Sequence, residues 1–168
     1  MSDIRPYSPA CERNKAPILE VLKTIITSDD KYLLEIGSGT GQHAVYFAPH
    51  FPHLHWVTSD LLKNHNGIKS WLNEYKISSI KGPLLFEVGK DDFPRKRFDL
   101  VFQANILHIM SWKQGKTLMK LLGRYLKEGA QAMFYGPFNY NGQFSSSSNA
   151  QFDQSLKERD PKSGIRSF

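Results

Sequence analysis

Several features that define other protein classes are missing from this 168-residue sequence. It has a single cysteine, Cys11, which excludes an internal disulfide and any multi-cysteine zinc site. No apolar run approaches the ~20 residues of a membrane span, and the first ten residues contain no secretory apolar core. We therefore predict a cytoplasmic protein with no bound metal and no membrane partner.

The sequence also lacks a cluster of positive charge, although its net charge is +6. Lysines and arginines are scattered, and the densest group, Arg95 to Arg97, precedes a predicted strand as a loop would. Scattered charge of this kind usually forms a solvated surface, so we do not expect nucleic acid as a partner. The length and the 40% apolar content fit one domain over residues 1–168.

Three glycines interrupt an apolar run in the stretch LLEIGSGTGQHA, residues 33–44. The pattern predicts a buried strand, a tight turn at Gly37, Gly39 and Gly41, and then the beginning of a helix. Glycines let a ligand approach the backbone closely, and a helix N-terminus offers free N–H groups. The turn is therefore a candidate ligand site, although a purely structural turn is the alternative.

The glycine spacing separates the candidate ligands. A dinucleotide fingerprint requires glycine at position 42, which is Gln42, and a P-loop requires a lysine that this turn lacks. The remaining pattern, Glu35 followed by the three alternating glycines, resembles the first motif of class I S-adenosylmethionine-dependent methyltransferases. The resemblance implies S-adenosylmethionine as cofactor, with contacts from Glu35, Gly37, Ser38, Gly39 and Gly41.

A second acidic residue, Asp60, ends the predicted strand LHWVTSD, about 20 residues beyond the turn. If this strand lies parallel to the first, the two carboxyl ends share one crevice. Asp60 could then accept hydrogen bonds from ribose hydroxyls. The alternative is that Asp60 caps the following helix.

Two further strands are predicted to end at the same crevice. The strand LLFEV ends near Gly89, and the methyltransferase pattern implies that this region, with Asp91 or Asp92, lies beside the adenine. The stretch RFDLVFQANILHI has the apolar run of a central strand and ends in the polar residues Gln103 and Asn105. His108, just beyond, is a candidate general base, or else a packed residue.

The other segments complete an α/β pattern. SPACERNKAPILEVLKTII predicts a first helix, with residues 12–15 either beginning it or leaning over the ligand, and a later helix is predicted from Trp112 to Lys127. A fifth strand, AQAMFYG, precedes FNYNGQFSSSSN, which we interpret as a loop serving as lid or substrate wall, or else as a mobile linker. The resemblance to class I methyltransferases implies an α/β fold with a Rossmann-like parallel sheet of order 3-2-1-4-5 and helices on both faces.

Motifs along nearly the whole chain resemble the domain-of-unknown-function 938 family, also called methyltransferase-like protein 26. The resemblance is carried by SPACERNKAPIL, LEIGSGTGQHAVYFA, QANILHI, FYGPFNYNGQF and SNAQFDQSLKERDPKSGIR, in this order. It implies a class I fold and a presumed methyltransferase activity without a settled substrate. Family members usually continue beyond GIR into a last strand pair, so we expect a C-terminally shortened domain that lacks this pair. Strand five would then be an exposed edge through which a homo-oligomer could form.

Three functions follow from these observations. The first is an S-adenosylmethionine-dependent methyltransferase that acts on a small molecule; the second is a non-catalytic protein that binds the same cofactor. A nicotinamide-dependent oxidoreductase is the third, and Gln42 argues against it. No Asn-Pro-Pro-aromatic motif follows strand four, which disfavours methylation of adenine or glutamine nitrogen.

Overall fold

A computed structural model describes residues 5–167 of the chain. Within this range the elements alternate between helix and strand, as the sequence pattern predicts. The helices are α1 (Pro9–Ile25), α2 (Gln42–Phe47), α3 (His65–Tyr75), α4 (Trp112–Tyr125) and α5 (Ser147–Arg159). The strands are β1 (Tyr32–Ile36), β2 (His55–Asp60), β3 (Ile80–Leu85), β4 (Leu100–Ala104), β5 (Gln131–Tyr135), β6 (Phe138–Tyr140), β7 (Gln143–Phe144) and β8 (Arg166–Ser167).

The main sheet has the order β3-β2-β1-β4-β5, with every pair parallel, which confirms the predicted order. In the centre of the sheet, Leu34 of β1 stands between Val57 of β2 and Val101 of β4. Because all the strands are parallel, the carboxyl ends of β1, β2 and β4 meet at one edge of the sheet.

Helices cover both faces of this sheet, as predicted. Side chains alternate between the faces along each strand, so neighbouring residues enter different cores. Leu33 belongs to the core beneath α1 and α2, whereas Leu34 belongs to the core beneath α4. The segment between β3 and β4 contains no helix and contributes Phe93 and Phe98 to the second core.

The sheet ends at β5, whose residues are partly or fully exposed. The chain then forms a separate sheet of order β7-β6-β8, so the prediction of a loop over residues 138–149 is wrong for its first half. Asn141 and Gly142 both have positive φ, 52° and 74°, as in the Asn-Gly turns that suit two-residue hairpins. This dipeptide was the signal for the hairpin.

Local capping explains where the long helices begin. Ser8 caps α1 by accepting from the Cys11 N–H, and Ser111 forms a capping box with Gln114 at α4. Helix α4 ends at Tyr125, slightly before the predicted Lys127. Within residues 5–167, no helix combines the length and the apolar character needed to cross a membrane.

The last described residues tie α5 to the loop that follows β4. The Gly164 N–H donates to the His108 carbonyl oxygen (2.8 Å), and the Ile165 N–H donates to Asp153 Oδ1 (2.7 Å). The Arg166 guanidinium donates to the carbonyl oxygens of Leu107 and Met110. These contacts fix the loop in which two predicted site residues lie.

Candidate functional site

Two adjoining cavities lie at the carboxyl ends of β1, β2 and β4. The first, about 520 Å³, lies between the glycine turn, the segment preceding α1, and Asn105. The second, about 380 Å³, lies between Asp60, the segment after β3, and the loop after β4. Gly37, Gly39, Lys63, Asn64 and Ile106 line both cavities, which therefore form one bent trough.

The glycine turn needs glycine at each of its three positions. Gly37, Gly39 and Gly41 all have positive φ, between 59° and 93°. A Cβ atom at Gly37 would lie 2.6 Å from the Ile106 side chain, and one at Gly41 would lie 3.2 Å from the backbone of Ile68. At Gly39 a Cβ would meet nothing within 4 Å. Gly39 is thus the position where the turn opens onto the trough.

Hydrogen bonds to the end of β2 hold the turn in place. The N–H groups of Gly37 and Ser38 both donate to the Ser59 carbonyl oxygen, at 2.9 and 3.0 Å. The Ser59 N–H in turn donates to Ser38 Oγ (3.2 Å). These bonds fix the conformation of the turn.

Asp60 lies at the junction of the turn and β2, and it lines the second cavity. Its Oδ2 accepts from the Gly39 N–H (2.6 Å), and its Oδ1 accepts from the Leu61 N–H (2.6 Å) and Asn64 Nδ2 (2.8 Å). The helix-capping alternative is wrong, because Asn64 occupies the N-cap position of α3. Asp60 instead links the glycine turn to the segment that leads into α3.

Glu35 lies behind the turn and lines neither cavity. It is 2% exposed, and its Oε2 accepts from the Trp56 indole N–H (2.9 Å). Burial raises the pKa of Glu35 to about 7, although hydrogen bonds with Trp56 and Ser38 act in the opposite direction. The structure thus places Glu35 as support beneath the turn.

The segment after β3 reaches the second cavity through Phe86, Glu87 and Val88, and Gly89 is not part of the lining. The Asp91 carboxylate accepts from the Glu87 N–H (2.7 Å), and Asp92 is an exposed loop residue. The cavity wall in this region is therefore mostly apolar.

The end of β4 contributes two polar side chains with different placements. Asn105 adopts φ +60° and lines the first cavity. Gln103 is 1% exposed and lies outside both linings; its Oε1 accepts from the Ile106 N–H (3.1 Å). Among the described residues, Gln103 Nε2 has no hydrogen-bond partner.

His108 is buried and packs edge-on against Phe152, with ring centroids 5.2 Å apart. Burial, with a smaller effect from the charge of Arg166, lowers the pKa of His108 to about 4, so the ring is neutral at pH 7. Its Nδ1 lies 3.7 Å from the position that a Cβ on Gly136 would take. The imidazole therefore faces the backbone of Gly136.

A third cavity, about 380 Å³, adjoins the trough at Asn105. It lies between the carboxyl end of β5 and helix α5. Its walls carry no Asp, Glu, Lys, Arg or His side chain; they are formed by Asn105, Tyr135, Gly136, Pro137, Asn149 and Phe152. Phe138, which the sequence interpretation placed near this side, instead lines a groove with Trp112.

The residues that close the first cavity from above are ones that the sequence analysis missed. These residues come just before residues 12–15, which were expected to lean over the ligand, and they are Pro6, Ser8, Ala10 and Cys11. The Ser8 N–H donates to Gln42 Oε1 (2.6 Å). Gln42, which stands where a dinucleotide fingerprint would have glycine, therefore holds this segment in place. Ser8 is the N-cap of α1, and a serine at the predicted start of a helix was the sequence feature that could have pointed to this segment.

Comparison with known families identifies the chain. Residues 5–168 match the family DUF938, described as a protein of unknown function, and the chain belongs to this family.

Solved structures share the fold at low sequence identity. PigF with SAH has a TM-score of 0.79 at 18% identity, over 93% of this chain and 47% of that chain. Human N-acetylserotonin methyltransferase in complex with SAM has a TM-score of 0.76 at 15% identity, over 94% and 43%. An O-methyltransferase family 2 protein from Planctomyces limnophilus, in complex with apigenin, has a TM-score of 0.76 at 12% identity, over 95% and 50%. The fold is thus Rossmann-like and of the methyltransferase kind, and the chain spans about half the length of these structures.

Proposed function

We propose that the protein is an S-adenosylmethionine-dependent methyltransferase that acts on a small, uncharged acceptor. The observation that carries the proposal is the open space at Gly39, beside the Asp60 carboxylate and at the carboxyl ends of the central strands. Parallel α/β sheets bind their ligands in this position. Similarity of fold to methyltransferases solved with SAH or SAM supports the same class.

The residues of the trough suit the parts of this cofactor. Phe86 and Val88 form an apolar wall for a flat purine in the second cavity. Asn64 lines both cavities and Asp60 lines the second, and these two residues would take the ribose hydroxyls. The first cavity, with the glycine turn and Asn105, would hold the methionine part.

The third cavity is the proposed acceptor site because it opens at Asn105, which also lines the first cavity. Phe152 and Pro137 offer apolar contact, and Asn149 offers an amide. Because the lining has no Asp, Glu, Lys, Arg or His side chain, it favours a neutral molecule with an apolar part. The apigenin bound by one protein of similar fold is such a molecule.

S-adenosylmethionine supplies an electrophilic methyl group, so the protein has mainly to align the acceptor and remove its proton. His108 is the proposed base. Its low pKa keeps the ring neutral, and its Nδ1 faces Gly136 in the wall of the third cavity. Asn105 Oδ1 lies 3.7 Å from the position that a Cβ on Gly136 would take, the same distance as His108 Nδ1, and Asn105 would orient the acceptor.

A non-catalytic cofactor-binding protein is the second candidate, and the position of His108 favours it. The ring is 5% exposed and lines none of the three cavities. A pKa of about 4 also makes it a weak base. On this alternative the trough binds the cofactor and no methyl group is transferred.

Two measurements test these candidates. Isothermal titration with S-adenosylmethionine and with its demethylated product should show binding of both; no heat from either, with measurable binding of a nicotinamide cofactor, would contradict the proposal.

Methyl-labelled cofactor incubated with a metabolite extract should then yield a labelled small molecule. We expect His108→Ala to bind the cofactor normally and to transfer the methyl group at a rate lower by about 10²-fold or more. Binding without any transfer by the parent protein would support the second candidate.

A further inference from the structure

Helix α4 carries a stripe of positive charge that no acidic residue of the helix balances. Lys113, Lys116, Lys120 and Arg124 are all exposed and follow one another at intervals of three or four residues, so they lie on one side of the helix. The helix contains no acidic residue and therefore carries a charge of +4. The fold thus gathers charge that is scattered along the sequence, and the expectation of no nucleic-acid partner rested on that scatter.

The four cations of the stripe also lack ionic partners. Within residues 5–167, none of them forms an ion pair. Lysines elsewhere do: Lys15 and Lys23 of α1 each pair with a glutamate one turn earlier in the helix. Lys127, just beyond the end of α4, pairs with Asp99. The charges of the stripe are therefore available to an external anion.

A groove of about 570 Å³ adjoins the stripe, between α4, β5 and the second sheet. Lys116 and Lys120 line it together with Trp112 and with Arg166 of β8, and among the described residues its lining contains no acid. The Trp112 side chain is 54% exposed, and its ring centroid lies 6.0 Å from Lys116 Nζ and 5.8 Å from Arg166 Cζ. The groove therefore offers a flat aromatic surface next to the positive charges.

The geometry selects among the possible polyanions. A row with about one cation per helical turn suits a linear polyanion that carries one charge on each unit. Helices that bind anionic membranes insert an apolar face beside their cations. The apolar face of α4, with Leu118 and Leu122, is instead buried in the core against the sheet. An acidic peptide needs only the cations, whereas the unpaired bases of a single-stranded nucleic acid also stack on exposed aromatic rings.

We propose that α4 and the adjoining groove bind single-stranded nucleic acid. Phosphates of the strand lie along Lys113, Lys116, Lys120 and Arg124, and one base enters the groove and stacks on Trp112. Because the contacts are to phosphates and to the face of a base, the site selects neither a base sequence nor one of the two sugars. None of these five residues lines the trough or the third cavity, so this site is separate from the proposed methyl transfer.

The test is fluorescence anisotropy with labelled uridine and thymidine oligonucleotides of about 12 residues. Binding is measured at several salt concentrations between about 50 and 200 mM, because each neutralised phosphate of a single strand contributes about −0.7 to the slope of log affinity against log salt. Four contacts predict a slope of about −3 for both oligonucleotides. In Lys116→Gln/Lys120→Gln we expect a slope of about −1.5 and an affinity lower by about tenfold or more at the lowest salt.

Two control variants separate the site from net charge and from charge alone. Lys69→Gln/Lys76→Gln removes the same charge from exposed positions at α3 and should keep the slope of the parent. An equal loss of affinity in the two double variants would show that binding follows net charge and would overturn the proposal. Trp112→Ala should weaken binding by about tenfold without changing the slope, because it removes the stacking surface alone.

The parent protein by itself also provides a decisive result, whether or not the variants fold. No binding of either oligonucleotide at about 100 µM protein and the lowest salt would overturn the proposal, and so would a slope near zero. Binding of a glutamate peptide of equal length and equal affinity would show a site for any polyanion, which contradicts the role of Trp112. Sedimentation with phosphatidylserine vesicles in place of oligonucleotide binding would identify a membrane surface instead. Cofactor binding is measured separately, so failure here leaves the methyltransferase proposal intact.

Discussion

The two sides of the trough are built differently. On the glycine-turn side, residues 5–104, strands β1 and β2 are almost wholly buried, and the turn is held by hydrogen bonds to Ser59 and Asp60. On the β5 side, residues 105–167, strands β5, β6 and β7 are exposed or half-buried. We expect the first side to act as a fixed receptor for the proposed cofactor. The second has fewer buried contacts and so more freedom to vary, as sites that determine specificity often have.

The largest expected effect comes from Gly39→Val on the glycine-turn side. A β-branched residue at φ +59° is strained, and its side chain would fill the opening of the trough. Affinity for the demethylated cofactor should fall by about 100-fold or more in isothermal titration. Gly123→Val, at an exposed helical position with no close neighbour, is the control. Normal binding by Gly39→Val would mean that the turn is only structural.

Glu35→Gln should change how stability depends on pH. The folded-state pKa of Glu35 is raised from 4.5 to about 7, so ionisation destabilises the fold progressively as pH rises through that interval. The variant, which keeps an acceptor for Trp56, should lose this penalty and gain about 3 kcal/mol relative to the parent between pH 4.5 and 8.

Urea unfolding of both proteins at each pH measures this difference. His43 and His108 have lowered pKa values and destabilise the fold as pH falls, so only the difference between the two proteins isolates Glu35. Glu20→Gln, on the exposed surface of α1, should follow the parent. If Glu35→Gln also follows the parent, Glu35 is not protonated in the folded protein.

The elements and the position of the trough were predictable because their signals, namely the glycine spacing, the apolar runs and the acid at the end of β2, each lie in a short segment. The order of the strands has no local signal and was predicted from the resemblance to class I methyltransferases. The inward position of Glu35 could also have been expected. Glu35 and Leu33 are two residues apart in β1, so their side chains point to the same face of the sheet, towards the core beneath α2. The hydrogen bond between Ser8 and Gln42 joins residues that are distant in sequence, and no periodicity of the sequence predicts such a contact.

Asp60→Ala should have a smaller effect on binding than Gly39→Val. If Asp60 accepts from both ribose hydroxyls, its loss should weaken cofactor binding by roughly 1.5–3 kcal/mol. Because Asp60 also holds the Gly39 N–H, a second ligand is needed to separate the two roles. A 2′-deoxy analogue should lose little further affinity in the variant. An equal loss in parent and variant would remove Asp60 as the ribose partner, and Asp92→Ala is the control for charge.

The smallest effect is expected on the β5 side, from Asn149→Ala. Asn149 lines the third cavity, and its Nδ2 donates to Ser145 Oγ (2.8 Å). The free energy of unfolding, measured in urea, should change by no more than about 0.5 kcal/mol. Cofactor affinity should remain that of the parent. A clear loss of cofactor affinity would show that the two sides are coupled and would end the distinction between them.

The hydrogen bond from the Ser8 N–H to Gln42 Oε1 has a kinetic consequence. The segment that forms one wall of the first cavity is held at Ser8 by the Gln42 side chain, whose Oε1 also accepts from Thr40 Oγ1 (3.0 Å), and at Pro6 by the Trp71 indole N–H, which donates to the Pro6 carbonyl oxygen (2.8 Å). Opening the wall at Ser8 requires the bond between Ser8 and Gln42 to break while the first turn of α1 frays. Hydrogen exchange at the Ser8 amide therefore reports how often the wall opens. Gln42→Ala should speed that exchange, and with it the dissociation of a bound ligand, more than it changes the equilibrium affinity.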